Sequence, residues 1–169
     1  MEAVYLSLGS NLGDRAENIA RAMGALGPHG VRTVRQSSIY ETEPVDVREQ
    51  GWFLNCAAEA ETDLTPRQLM HALLEIERSL GRRRLIPRGP RLIDIDILLF
   101  GSIIVKAPEL EIPHPRMTER RFVLVPLAEI APDLQHSVLK KNIAELLAGT
   151  PDRSHVRIHE ADRSAARRG

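Results

Sequence analysis

Gly89-Pro90-Arg91-Leu92-Ile93-Asp94-Ile95-Asp96-Ile97-Leu98 is a tight turn that runs straight into a strand. Ile93, Ile95 and Ile97 alternate with Asp94 and Asp96, and residues two apart in a strand share a face. The isoleucines therefore point into a core, while both carboxylates project together on the other side. Continued to Phe100, this strand follows a helix and a basic loop. It is the fourth strand in the order strand, helix, strand, strand, helix, strand. That order is the split β-α-β pattern of a ferredoxin-like sandwich, an α+β fold with helices packed on one face of a largely antiparallel sheet. The other face then needs loops or the C-terminal pieces to cover it.

The remaining elements follow outward from this strand. Residues 4–8 are a first, apolar strand, and Gly9-Ser10-Asn11-Leu12-Gly13-Asp14 is a turn-rich loop in which Asp14 is a helix N-cap. The helix carries Ile19, Met23 and Leu26 on one face and ends at Gly27-Pro28. Residues 31–40 are expected to form a second strand and 52–62 a third, with a polar loop at 41–51. Thr65-Pro66-Arg67-Gln68 starts a helix with a cap, a proline at the first position and a capping-box glutamine. Its stripe is Leu69, Leu73, Ile76 and Leu80, and Gly81 stops it. After the fourth strand, Gly101-Ser102 is expected to fold the chain back into residues 103–105 as a hairpin. Residues 108–115 should be extended, with a short helix within 118–130 and another at 142–147. Val156 and Ile158 suit an edge strand. Residues 1–160 read as one domain and 161–169 as a disordered basic tail.

Two carboxylates on one strand face repel each other unless something sits between them. Mg²⁺ is commonly held by one or two carboxylates plus substrate phosphates, which gives Asp94 and Asp96 a chemical purpose. The plain alternative is a solvent-facing strand. Arg82-Arg83-Arg84, Arg88 and Arg91 precede this strand in one long loop, and guanidinium forks match phosphate oxygens. The plain alternative there is a solvated basic loop. Glu77 falls on an apolar helix stripe, where a carboxylate must be paired. Arg82 would be a structural partner and a ligand hydroxyl a functional one. His114 lies between prolines in Ile112-Pro113-His114-Pro115, and Arg120, Arg121 and Phe122 follow. In Trp52-Phe53-Leu54-Asn55, aromatics with one amide suit a flat heterocycle, or simply a core strand in which Asn55 needs partners. Walker A, G-x-G-x-x-G and C-x-x-C patterns are absent from the sequence.

Taken in order, these residues resemble the 6-hydroxymethyl-7,8-dihydropterin pyrophosphokinase family of folate biosynthesis. The resemblance runs through Leu8-Gly9-Ser10-Asn11-Leu12-Gly13, Ser38-Ile39-Tyr40-Glu41-Thr42-Glu43-Pro44, Phe53-Leu54-Asn55 and Ile76-Glu77-Arg78-Ser79-Leu80-Gly81-Arg82. It continues through the Gly89-to-Leu99 signature to Ile112-Pro113-His114-Pro115-Arg116-Met117. It implies transfer of diphosphate from ATP to the pterin alcohol with release of AMP. Asp94 and Asp96 would hold two Mg²⁺ ions, with Arg82 and Arg91 also catalytic. Glu77, Arg84, His114 and Arg120 would bind ATP. Phe53 and Phe122 would sandwich the pterin, Asn55 would read its edge, and groups near Thr42 and Val45 would assist. Pro87-Arg88 stands where the family often has a basic or aromatic pair, and Asp46 and Gly51 stand where Gly and Pro are frequent.

Bulk properties narrow the field further. The 169 residues carry no formal net charge, so no global field favours nucleic acid or a membrane surface. An RNA-binding ferredoxin-like module would want aromatics on its sheet, and aromatics make up only 4% of the chain. A two-metal nucleotidyltransferase would share the carboxylates but have no need of Phe53, Asn55 and Phe122. With one cysteine, Cys56, an intrachain disulfide is impossible, which suits a reducing compartment. The N-terminus lacks the pattern of a signal peptide, and no apolar run approaches a membrane span. The expectation is a cytoplasmic monomer acting on small molecules.

Overall fold

The computed structural model describes residues 1–43, 51–81 and 92–159. The expected disordered tail at 161–169 lies outside them. Strand β1 (Glu2–Ser10) is an inner strand of the sheet. It pairs antiparallel with β4 (Phe53–Thr62) from Glu2↔Thr62 to Ser10↔Leu54, and on its other edge with β5 (Asp94–Phe100). The far edge of β4 is shared by β2 (Val31–Gln36) and β3 (Tyr40–Thr42). The last strand, β8 (Val156–Ile158), extends the sheet beyond β3. Every one of these pairings is antiparallel, and the order β5-β1-β4-β3-β8 is that of the ferredoxin-like sandwich.

The two faces are built differently. Helices α1 (Arg15–Leu26) and α2 (Pro66–Ser79) cover one face, where Leu6, Leu8, Ile19, Leu26, Leu69, Ile76, Ile95 and Ile97 form a single buried cluster. Each such aliphatic side chain contributes about 1.5–3 kcal/mol by leaving water. Asp14 caps α1 by accepting the Glu17 N–H, and Thr65 with Gln68 forms the expected capping box on α2. On the other face, α3 (Arg121–Ile130) and α4 (Ile143–Gly149) pack Val123, Leu124, Leu127, Ile143 and Leu146 against Ala57, Leu98 and Leu99. Consecutive residues Leu98 and Leu99 reach the same cluster because the β1–β5 register slips between Tyr5 and Leu6. The C-terminal pieces thus cover the second face, as the strand pattern required.

Two expectations need correction. The second strand is not continuous over 31–40 but breaks at 37–39. Ser37 donates its N–H to the Ala57 carbonyl, and its own Oγ accepts the Ala57 N–H, so a side chain replaces one rung of the ladder. Glu129 of α3 then accepts the Ser38 N–H at 2.9 Å and the Tyr40 hydroxyl at 2.5 Å. The hairpin expected at Gly101-Ser102 does not form either. Ile103 and Ile104 are exposed, and the hairpin lies further on, between β6 (Val105–Ala107) and β7 (Leu110–Ile112). Pro108, preset for the first central position of a turn, closes it with Glu109.

Between α3 and α4, buried His136 organises a loop. Its Nδ1 accepts the N–H groups of both Val138 and Leu139, and burial pushes the imidazole below its ordinary pKa. The neutral form is therefore the native one. A histidine with a depressed folded pKa stabilises fully above its unfolded value, and that stability declines as the pH falls below it. The urea midpoint should accordingly drop between about pH 7.5 and about pH 5.5. His136→Asn, which keeps an acceptor but cannot titrate, should show a smaller drop across the same interval.

Candidate active site

The register of the sheet assembles the site at the end where β1 finishes and β4 and β5 begin. Gly9 pairs with Asp94 on one side and Asn55 on the other, and Asn55 pairs in turn with Tyr40. Asp94, Gly9, Asn55 and Tyr40 therefore form one row across the sheet. Residues opposed in a ladder share a face, so their side chains lie on the α3 side. Asp96 lies one step along the same face, opposite Ser7. The expected alternation holds: Ile93, Ile95 and Ile97 are buried, Asp94 is half-buried and Asp96 is exposed.

Gly9 is a requirement of this row. A Cβ there would stand 2.4 Å from Asn55 Oδ1. Asn55 is buried and cannot simply swing away, because its Nδ2 donates to Thr42 Oγ1 at 2.7 Å. Phe53 is half-buried and pairs with Thr42 two residues along the same face. Asn18 of α1 donates to both Ser10 Oγ and the Leu12 carbonyl, fixing the Gly9-Ser10-Asn11 turn from below.

Two further groups approach from chain beyond β5. The His114 N–H donates to the Leu98 carbonyl, which docks this segment on β5, and its Nδ1 accepts the Arg116 N–H. In a neutral ring the proton then sits on Nε2. Burial holds His114 below its ordinary pKa, against the pull of the nearby Asp96 carboxylate. Arg120 lies over the Phe122 ring, 5.4 Å from its centroid, and Phe122 packs half-buried on the second core cluster.

Glu77 has a clear structural duty. Buried on α2, it accepts the Ile95 N–H at 2.8 Å through Oε2. Ile95 lies on an edge strand, between the two aspartates, so Glu77 satisfies an outward N–H that would otherwise face no strand. The structure thus brings together Asp94, Asp96, His114, Arg120, Phe122, Phe53, Asn55 and Thr42 on one side of the sheet, with Glu77 bracing the edge. Val45, Arg82, Arg84 and Arg91, with the departures Asp46, Pro87 and Arg88, lie outside the described residues. Sequence reasoning passed over Gly9 as a spacer, Tyr40 with its Glu129 tie, and Asp152, whose Oδ2 accepts the first N–H of α3, that of Arg121, at 2.7 Å. Burial and then Glu129 raise the Tyr40 hydroxyl pKa well above its ordinary value. Only Gly9 carried a sequence signal, a glycine where an apolar strand meets a turn.

The fold is a ferredoxin-like sandwich, with two carboxylates and a pinned amide on one face of its sheet. The model of the 7,8-dihydro-6-hydroxymethylpterin-pyrophosphokinase family matches residues 5–132, and the chain belongs to that family. It is 47% identical over 132 residues to the 2-amino-4-hydroxy-6-hydroxymethyldihydropteridine pyrophosphokinase of Bacillus subtilis, covering 78% of this chain and 79% of that protein. Against the protein of that name from Methylorubrum extorquens it is 48% identical over 135 residues, 79% of this chain and 85% of that one. The folic acid synthesis protein fol1 of Pneumocystis carinii is 44% identical over 143 residues, and this chain spans only 19% of its length. A crystal structure of Plasmodium falciparum HPPK-DHPS superposes with a TM-score of 0.70 at 18% identity, over 87% of this chain and 45% of that one.

The contact at Gly9 is open to a double-mutant cycle. Gly9→Ala should cost about 1–3 kcal/mol in urea unfolding, because the new methyl meets a pinned amide. Adding it to an Asn55→Ala background should cost much less, and equal costs in both backgrounds would place the clash elsewhere.

Proposed function

We propose that this protein transfers diphosphate from ATP to the hydroxymethyl group of 6-hydroxymethyl-7,8-dihydropterin, releasing AMP, in folate synthesis. Family membership supports the reaction. The observation that carries the assignment of residues is the row Asp94–Gly9–Asn55. It sets a carboxylate pair and a pinned amide on one face, with a residue lacking a side chain between them.

Asn55 and Thr42 are proposed to read the polar edge of the pterin, and Phe53 and Phe122 to hold its ring. Asn55 keeps one orientation because Thr42 takes its Nδ2 proton, which leaves Oδ1 presented in a fixed direction. Across Gly9, the hydroxymethyl arm would reach toward Asp94 and Asp96. That pair suits Mg²⁺: two hard oxygen donors on one face of a rigid strand, partly open, with no group of three or more metal-ligating side chains among the described residues. The remaining coordination positions would then belong to phosphate oxygens and water. Bound there, Mg²⁺, two ions in our assignment, would neutralise triphosphate charge and polarise the reacting phosphorus.

The hydroxymethyl oxygen attacks the β-phosphorus in line. A new oxygen–phosphorus bond forms, the bond from the β-phosphorus to the oxygen shared with the α-phosphate breaks, and AMP leaves. The hydroxyl proton passes to Asp96 or to water. Arg120 and the Nε2–H of His114 are proposed to bind phosphate oxygens as donors, with Glu77 near the nucleotide holding β5 in place. Arg82, Arg84 and Arg91 are assigned to the triphosphate, and Val45 to the pterin side, on the match of their sequence positions.

No helix among the described residues is long and apolar enough to cross a membrane. We assign the protein to the cytoplasm, where the single buried thiol of Cys56 stays reduced, and take one chain as the working unit.

The deciding measurement is AMP production from ATP and Mg²⁺ with and without the dihydropterin. AMP that forms only when the pterin is present is the expected result, and its absence from folded, ATP-binding protein would refute the assignment. Asp96→Ala should lower turnover roughly a thousandfold with an unchanged circular dichroism spectrum, a loss of about 4 kcal/mol in transition-state stabilisation. Phe122→Ala should raise the pterin Kd by about tenfold to a hundredfold and leave the ATP Kd nearly unchanged. Equal losses for both substrates would argue against a stacking role.

A further inference from the structure

The family model ends at residue 132, yet the chain beyond α4 returns to the site just described. Leaving α4, Thr150 Oγ1 donates to the Thr118 carbonyl at 2.8 Å. Asp152 then accepts the Arg121 N–H through Oδ2, and Oδ1 takes the Ser154 N–H at 2.9 Å. Burial works against the ionised Asp152, but these two N–H groups prevail and hold its pKa below the usual value. The Arg121 Nε donates to the Ser154 carbonyl, closing a small ring at the start of α3, beside Phe122.

Four residues later the same segment grips the opposite wall. β8 pairs Val156 with Thr42 and Arg157 with Glu41. Just outside that ladder, His155 accepts the Glu43 N–H and donates its own N–H to Glu43 Oε1. Arg157 donates to Glu41 Oε1 through its terminal nitrogen at 2.6 Å and Nε at 3.2 Å, while its guanidinium lies 4.6 Å from the Trp52 ring centroid. Glu41 precedes Thr42 and Trp52 precedes Phe53, so one side chain clasps both strand ends from behind the face that carries Thr42, Phe53 and Asn55. Arg15 adds to the clasp, donating to the Trp52 carbonyl at 2.6 Å and pairing with Glu41 at 3.5 Å. β3 has only three residues, too short to hold its place without a partner on each edge.

We propose that residues 152–159 are a brace that sets the separation of the two pterin-binding walls, with Asp152 fixing the Phe122 side and Arg157 the Thr42–Phe53 side. Both are positioning residues that touch no substrate. The inference rests on the pterin reading above. Its physical basis is that a bound flat ring gains from both stacking faces only when their spacing is already set, so loosening one wall weakens pterin binding and leaves the carboxylates untouched.

Arg157→Ala tests it, because the side chain is 62% exposed and its removal should leave the core intact. Trp52 is the only tryptophan, so acrylamide quenching of its fluorescence reads the clasp without any ligand. Quenching should increase, and the pterin KM should rise about threefold to tenfold, with kcat and the ATP KM unchanged. Arg157→Lys should fall between wild type and Arg157→Ala. Lys106→Ala, the same charge loss at an exposed residue of β6 outside the brace and the site, should behave as wild type. Unchanged quenching would remove the contact. Increased quenching with an unchanged pterin KM, or with both KM values raised equally, would remove the positioning role. A wild-type protein that makes no pterin-dependent AMP would sink the functional reading and the positioning role with it, while quenching would still decide the clasp.

Discussion

The antiparallel register of β1 against both β4 and β5 is the constraint on which everything else depends. The side-chain period of a strand is two, so a slip of one residue on either edge would send Asp94 and Asp96, or Phe53 and Asn55, to the opposite face. The register is held by apolar burial on the α1–α2 face. Val4, Leu6 and Leu8 of β1, Leu54 and Cys56 of β4, and Ile95 and Ile97 of β5 share that core. The polar face is thus positioned by the apolar one. Gly9 then sets the distance between the two halves of the site, since any side chain there would displace the Asn55 amide.

Among the described residues, the face that carries Asp94 and Asp96 is only partly covered. α3 and α4 bury it over Ala57, Leu98 and Leu99, and the cover ends before Asp96, which remains exposed. This division follows from element length. α3 has ten residues and α4 seven, too little to roof a sheet whose middle strands have nine and ten. The end left uncovered by α3 and α4 is where polar side chains cost least. The edge of β5 is managed separately. Glu77 takes the Ile95 N–H and His114 donates to the Leu98 carbonyl, so the strand bearing the aspartates is secured along its outer side.

Much of this was legible beforehand, for physical reasons particular to each element. The caps at Asp14 and Thr65 act within three residues, so local sequence suffices to find them. Alternation in residues 93–97 reports burial directly, and the buried Glu77 announced its need for a partner. Other features resisted reading because their causes lie far away in sequence. The break in the second strand depends on Ala57 and Glu129, twenty and ninety-one residues from the serines they engage. The displaced hairpin reflects a choice between two turns, one glycine-based and one proline-based, that differ little in local preference.

By itself, then, the sequence determined the alternation of the main helices and strands, the two-faced character of β5, the family, and a set of candidate residues with chemistry to offer. Those are properties of periodicity, capping and motif, each written over a few neighbouring residues. The tertiary structure alone decided that Asp94, Gly9 and Asn55 stand in one row, that Glu77 answers to Ile95, and that the segment after α4 returns to hold both Phe122's helix and Thr42's strand. These relations depend on strand register and on packing between residues as many as 116 positions apart. Such pairings are selected by the joint burial of several elements, and no local stretch of chain contains that information.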